Sequence, residues 1–226
     1  MIMQKPRIAT VVRADNLKDF FSELFETQRV ADLVELRVDY IQGLRIEQLE
    51  ELKAKTTKPA IFTCRGKAEG GNFTGSEKNR LVIIQKAIDL GFDYVDIELA
   101  ALKKYNLNKR RGVKLIVSYH NFQKTPNYNF LEKIINQAYN LGADIAKVAV
   151  LANKPEDNKI IFQLILNKKS NQEIIALAMG EQGMITRLLA PLLGGYLTFA
   201  TVSGKGSAPG QIDIKKLKAI YQAMDF

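Results

Sequence analysis

The chain has 226 residues, 46% of them hydrophobic, which is enough for one large domain or two small ones with a substantial core and too apolar for disorder. Its formal charge of +9 permits an anionic ligand or nucleic acid, but the lysines gather in "ELKAKTTK", "LKKYNLNKRR", "ILNKKS" and "IKKLKAI", which read as solvated helix faces and loops; only "NKRR" is dense, and no aromatics interleave it as in a single-strand platform. No apolar run nears the roughly 20 residues of a membrane helix and the N-terminus lacks a cleavable signal layout, so a cytoplasmic protein without membrane or nucleic-acid partners is expected.

From the N-terminus, short β-branched runs alternate with helical ones. Strand one is "RIATVV", with the helix "NLKDFFSELFETQ" after it; strand two, "LVELRVD", carries Glu35 and Arg37 at its end and precedes "RIEQLEELKAKT". Strand three, "AIFTCR", ends on Cys64 and Arg65. A lone cysteine excludes an intrachain disulfide and a CxxC site. Beside Arg65 it reads either as a nucleophile of lowered pKa or, preferably, as a small buried hydrophobe.

The loop "CRGKAEGGNF" follows, with Glu69 flanked by Gly70 and Gly71. A loop carboxylate is usually solvated, but the glycines suggest a constrained turn that brings Glu69 towards a partner. After the helix "SEKNRLVIIQKAIDLG", strand four, "YVDIEL", supplies Asp96 and Glu98, and the segment "ALKKYNLNKR" connects to strand five, "KLIVSYH", which ends on the only histidine, His120. The helix "NYNFLEKIINQAYNLG" leads to strand six, "IAKVAVL", with Lys147 inside an apolar run; "EDNKIIFQLILNKKS" leads to strand seven, "EIIALAMG". Arg187 lies in the next helix, "MITRLLAPLLGG", before strand eight, "YLTFATV". The loop "SGKGSAPGQ", with Ser207 and Gln211, and the helix "DIKKLKAIYQAMDF" close the chain. That loop reads as a phosphate loop or as a lid whose Ser207 and Gln211 bond hydroxyls; it does not fit the G-x-x-x-x-G-K-[ST] pattern.

Eight β-then-α units without a linker predict an α/β fold, a (β/α)8 TIM barrel forming a single domain over 1–226. A doubly wound sheet is the alternative, but no glycine fingerprint follows strand one. In a barrel, functional residues cluster at the C-terminal ends of the strands, where Glu35, Arg37, Arg65, Asp96, Glu98 and His120 fall. With one His and one Cys, no metal site is expected.

Lys147 points either into the barrel or under the helices, and neither leaves it freely solvated. It reads as a Schiff-base amine or as a lysine paired with an interior carboxylate such as Glu98. His120 and Lys147 are 27 residues apart, about one unit, so they are expected at comparable heights on adjacent strands. An amine nucleophile beside an imidazole suits imine chemistry with proton abstraction next to the imine carbon. Arg37, Arg65 and Arg187 at one mouth favour an anionic substrate, although each alone could be a structural ion pair.

With "ELRVD", "FTCRGKAEGG", "VSYHNF", "AKVAV", "MGEQGMITR" and "SAPGQI" in this order, the chain resembles the type I 3-dehydroquinate dehydratases over nearly its full length. The resemblance implies syn dehydration of 3-dehydroquinate to 3-dehydroshikimate in the shikimate pathway, without metal or cofactor, by a homodimer. It implies Lys147 as the Schiff-base lysine, His120 as general acid and base, and Glu69 as its assisting carboxylate. Glu35, Arg37, Arg65, Arg187, Ser207 and Gln211 fall on the substrate-binding positions, with Arg187 against the substrate carboxylate. Two departures stand out: Asn121 replaces the usual aspartate after the histidine, and strand one offers Thr10 where a serine contact would be, so that contact is not carried over. Two other readings remain: a class I aldolase using Lys147 on a phosphorylated sugar, and a non-catalytic barrel binding an anionic partner through its basic surface.

Overall fold

The computed structural model describes residues 5–202 and 208–225. Eight parallel strands alternate with helices in chain order: β1 Ile8–Val12, α1 Leu17–Val30, β2 Leu33–Arg37, α2 Gln48–Lys55, β3 Ala60–Thr63, α3 Glu77–Leu90, β4 Tyr94–Glu98, α4 Leu99–Leu102, β5 Lys114–Asn121, α5 Tyr128–Asn140, β6 Ile145–Leu151, α6 Asp157–Leu166, β7 Ile174–Met179, α7 Met184–Leu189 and β8 Thr198–Thr201. A two-residue strand β9, Ile212–Asp213, and helix α8, Ile214–Ala223, complete the chain. The fold is the expected (β/α)8 barrel. "ALKKYNLNKR" is a connection, contributing only to the single turn α4; one detail differs from the sequence reading, in that the start of the last helical segment first pairs with β8 as β9. Asp213 then caps α8, its carboxylate accepting from the Lys215 and Lys216 amides.

The strands curl in the order β7-β6-β5-β4-β3-β2-β1-β8-β9. Between β7 and β8 the described residues form no ladder; the Tyr196 N–H donates to the Ile174 carbonyl at 2.8 Å, and the Ala178 N–H donates to the Thr186 hydroxyl at 2.8 Å. Helix starts follow local capping chemistry. The side chains of Asn16, Ser76 and Asn127 accept amides of the first turns of α1, α3 and α5, satisfying donors that have no partner inside the helix. Phe20 and Leu24 of α1, Leu49 and Leu52 of α2, and Ile84 and Ile88 of α3 are buried against the outside of the sheet, each contributing about 1.5–3 kcal/mol on leaving water.

Register sets the height of each interior side chain. Glu35 lies beside Val11 and Ile61; Arg37 lies beside Thr63 and Thr63 beside Asp96. Glu98, Ser118 and Lys147 are neighbours on β4, β5 and β6, and His120 neighbours Ala149. Because side chains alternate along a strand, Thr10 points away from the Glu35 face, out towards the helices. At the N-terminal end, the phenols of Tyr94 on β4 and Tyr196 before β8 meet at 2.8 Å, with Arg7 and Lys114 over their rings. Strands four and eight face each other across a ring of eight, so this contact plugs the barrel floor. Among the described residues, no helix is long and apolar enough to cross a membrane.

Candidate functional site

At the opposite end the barrel holds a cavity lined by Glu35, Arg37, Arg65, Glu69, His120, Lys147 and Arg187, with Gln211 and Ala208 at one side. Eight of the nine predicted site residues therefore meet at one place. Ser207 lies outside the described residues.

Asp96 organises the floor of the cavity. Its Oδ2 accepts from Lys147 Nζ at 2.9 Å; its Oδ1 accepts from the Ser118 hydroxyl at 2.6 Å and pairs with Arg65 Nη2 at 2.7 Å. Burial alone would raise the Asp96 pKa, but Arg65 and Lys147 hold it well below the ordinary carboxylate range. The interior partner of Lys147 is thus Asp96. Glu98, the partner suggested from sequence, turns to Arg65, Arg80 and the Gly66 amide. Lys147 also lies 3.7 Å from Glu35 and 4.5 Å over the Phe199 ring, so its amine is enclosed by two carboxylates and an aromatic face. Lys147 is beside Ser118 rather than His120, which sets it two residues, or about 6.6 Å along the strand, deeper than the histidine.

The turn after β3 delivers Glu69 to His120. Glu69 Oε2 accepts the His120 backbone N–H and meets its ring Nδ1, both at 2.9 Å. An oxygen already accepting the backbone N–H serves best as acceptor for the ring too, which assigns the hydrogen to Nδ1 and leaves Nε2 as the basic nitrogen. Burial, aided by the Arg65 and Lys147 cations, holds the imidazole neutral well below its usual range. Burial also pushes the Glu69 carboxyl up to about 7, against the pull of Arg65. With the imidazole neutral, the charge of the pair is that of the Glu69 carboxyl.

The three arginines differ. Arg37 is bonded bidentately to Asp39, at 2.8 Å through both Nε and Nη2, and Asp39 also accepts the Asn72 amide. Arg65 is engaged by Asp96, Ser118 and Glu98. Arg187 is almost fully buried and donates from Nη2 to the Pro209 carbonyl at 3.0 Å. Among the described residues no carboxylate is in ion-pair contact with it, and its Nε has no hydrogen-bond partner. Burial lowers its pKa to about 10, with only Glu35 opposing. An incoming carboxylate would meet that guanidinium unneutralised.

The remaining sequence candidates do other jobs. Asn121 caps the loop after β5, its Oδ1 accepting the Gln123 and Lys124 amides, a role an aspartate fills equally well. Cys64 is buried and its thiol pushed up by burial, so it is the small hydrophobe of the preferred reading. Part of "NKRR" is internally bonded, Lys109 to Asp144 and Arg110 to the Asp89 carbonyl. Sequence reasoning did not single out Ser118 or Phe199. Ser118 stood two positions before His120, on the same strand face, and that period was the available signal.

Comparison with known proteins identifies the family. The family model for type I 3-dehydroquinase matches residues 8–225. The 3-dehydroquinate dehydratase of Coxiella burnetii is 42% identical over 221 residues, 98% of this chain and 94% of that protein. The enzyme of the same name from Methanocaldococcus jannaschii is 42% identical over 201 residues, 87% of this chain and 89% of that one. The crystal structure of 3-dehydroquinate dehydratase from Geobacillus kaustophilus superposes with a TM-score of 0.89 at 31% identity, covering 98% of this chain and 91% of that one. The chain belongs to the type I 3-dehydroquinase family, and is an enzyme of the hydro-lyase class acting on a small molecule.

Proposed function

We propose that the chain is a single catalytic domain that dehydrates 3-dehydroquinate to 3-dehydroshikimate through a Schiff base on Lys147. The observation that carries the reading is the pairing of an enclosed amine, Lys147 on Asp96, with a neutral imidazole fixed by Glu69 one step nearer the mouth. In the first step Lys147 adds to the C3 ketone and water leaves, giving a protonated imine. That cation draws electron density from C2, and His120 Nε2 removes the C2 proton to leave an enamine. The resulting imidazolium is stabilised by the Glu69 carboxylate. His120 then gives its proton to the C1 hydroxyl, which departs as water from the same face, a syn course that one residue can serve at both steps. Hydrolysis of the conjugated imine frees the product and Lys147.

Arg187 binds the substrate carboxylate, since it is the arginine on the wall without a carboxylate of its own among the described residues. Glu35, Arg37 and Arg65 face the ring hydroxyls and the reacting carbonyl, and Ser207 and Gln211 bond hydroxyls from the 203–211 loop. No cofactor enters these steps. The reaction fits the shikimate route to aromatic amino acids in the cytoplasm, and the enzyme acts as a homodimer. Family membership disfavours the aldolase and the non-catalytic reading.

Borohydride reduction in the presence of 3-dehydroquinate tests the mechanism. Intact-mass and peptide analysis are expected to find a reduced adduct on Lys147, and none after Lys147→Ala. His120→Ala is expected to keep the adduct while losing turnover by 10³-fold or more, in line with roughly 10²–10⁴ from one acid/base group. A folded wild-type enzyme without an adduct would rule out the imine.

A further inference from the structure

We propose that Arg80, on α3 outside the barrel, is a positioning residue that holds the Glu69–His120 pair and the Asp96–Lys147 pair in fixed relation through Glu98. Arg80 does not line the substrate cavity, yet it is 2% exposed, and it holds the chain before Arg65 directly and the chain after it through Glu98. Nη1 donates to the Cys64 carbonyl at 2.6 Å and pairs with Glu98 Oε2 at 2.7 Å. Glu98 Oε1 accepts the Gly66 amide at 2.9 Å and lies 3.3 Å from Arg65 Nη1. Glu77 grips the other edge of Arg80 through Nε and Nη2, at 2.8 and 2.7 Å.

Two paths leave this clasp. Along one, the Gly66 carbonyl accepts the Glu69 amide at 3.1 Å and the Gly71 amide at 3.0 Å, which shapes the turn that presents Glu69 to His120. Along the other, charges alternate from Arg80 to Glu98, Arg65, Asp96 and Lys147. Without Arg80, Glu98 has only Arg65 to neutralise it and draws that guanidinium away from Asp96; Asp96 then holds the Lys147 ammonium more tightly against attack on the ketone. One planar fork spans a carbonyl and two carboxylates, which a lysine's point charge does not reproduce. A buried pair contributes little net stability, so the gain from such a costly arrangement is fixed geometry.

Behind the Glu69 turn is a second cavity, lined by Gly66, Glu69, Glu77, Arg80, Glu98 and Lys104 among others. Glu69 is the one described residue that lines both cavities. The space left by truncating Arg80 would open into this second cavity, which makes chemical rescue a direct test.

The proposal rests on the assignment of His120 and Lys147 above. Arg80→Ala is expected to lower kcat at least tenfold with KM within about threefold, to form the borohydride adduct on Lys147 more slowly than wild type but to the same end point, and to recover a large part of the loss in low-millimolar guanidinium chloride. Sodium chloride at equal ionic strength is expected not to restore it. Arg80→Lys, which keeps the charge and guards against a misfolded alanine variant, is expected to remain impaired in kcat. Wild-type kcat in either folded variant, or a loss that guanidinium leaves untouched, overturns the role. Failure of the underlying mechanism is read separately, as turnover surviving in His120→Ala.

Discussion

Glu69 shows how one residue's surroundings set its duty. Its carboxyl titrates at about 7 in the folded protein, chiefly because it is buried, against an ordinary value near 4.5. A carboxyl whose pKa is raised on folding favours the folded state at low pH, and that contribution is lost as pH climbs from about 4.5 through about 7. Glu69→Gln, which never ionises, is expected to melt close to wild type at pH 4.5 and to gain stability on the order of 2 kcal/mol by pH 8. Thermal melts at several pH values check this, and a pH-independent difference would sink it. The same variant is expected to be a poor enzyme, because a neutral amide does not stabilise imidazolium. Stability and activity are opposed at this position.

At the scale of the element, the turn after β3 depends on close approach. A Cβ on Gly71 would overlap the Arg65 carbonyl, and Gly70, at φ +76°, already has the Phe122 ring against it. Gly71→Ala is expected to lower kcat tenfold or more and cost about 1–3 kcal/mol, because the turn must lift off Arg65 and take Glu69 with it. Gly43→Ala, also at positive φ but with open space around it, is the control: it is expected to lose about 1 kcal/mol by urea unfolding and keep its turnover. The sequence made the strands and this loop legible, because β-branched runs and flanking glycines are local signals. It did not reveal that Lys147 bonds Asp96 rather than Glu98, since that choice depends on the register of β4, β5 and β6 and on where Arg80 reaches from α3. His120 and Glu69 could be matched because each stood at a strand end or turn, where few alternatives compete.

For the whole molecule, the barrel is uneven around its circumference. β5 and β6 each pair along both edges, whereas β7 meets β8 through the Tyr196 to Ile174 bond and borrows the Thr186 hydroxyl for Ala178. Amide exchange is expected to be faster in β7 and β8 than in β5 and β6, as in other regions where backbone bonds are sparse. Mass spectrometry on peptic fragments reads it, and equal protection around the ring would refute it. The weak seam lies next to α7, which carries Arg187, so the arginine best placed to receive substrate sits on the most yielding arc of the barrel.

The paired phenols at the floor have a consequence for traffic. Tyr94, pushed up to about 12 mainly by burial and its bond to Tyr196, keeps its proton throughout the physiological range. Among the described residues this pair spans the base of the barrel. Substrate and product, and in the proposed mechanism the waters of imine formation, elimination and hydrolysis, share the upper opening, and arrival and departure compete for one doorway.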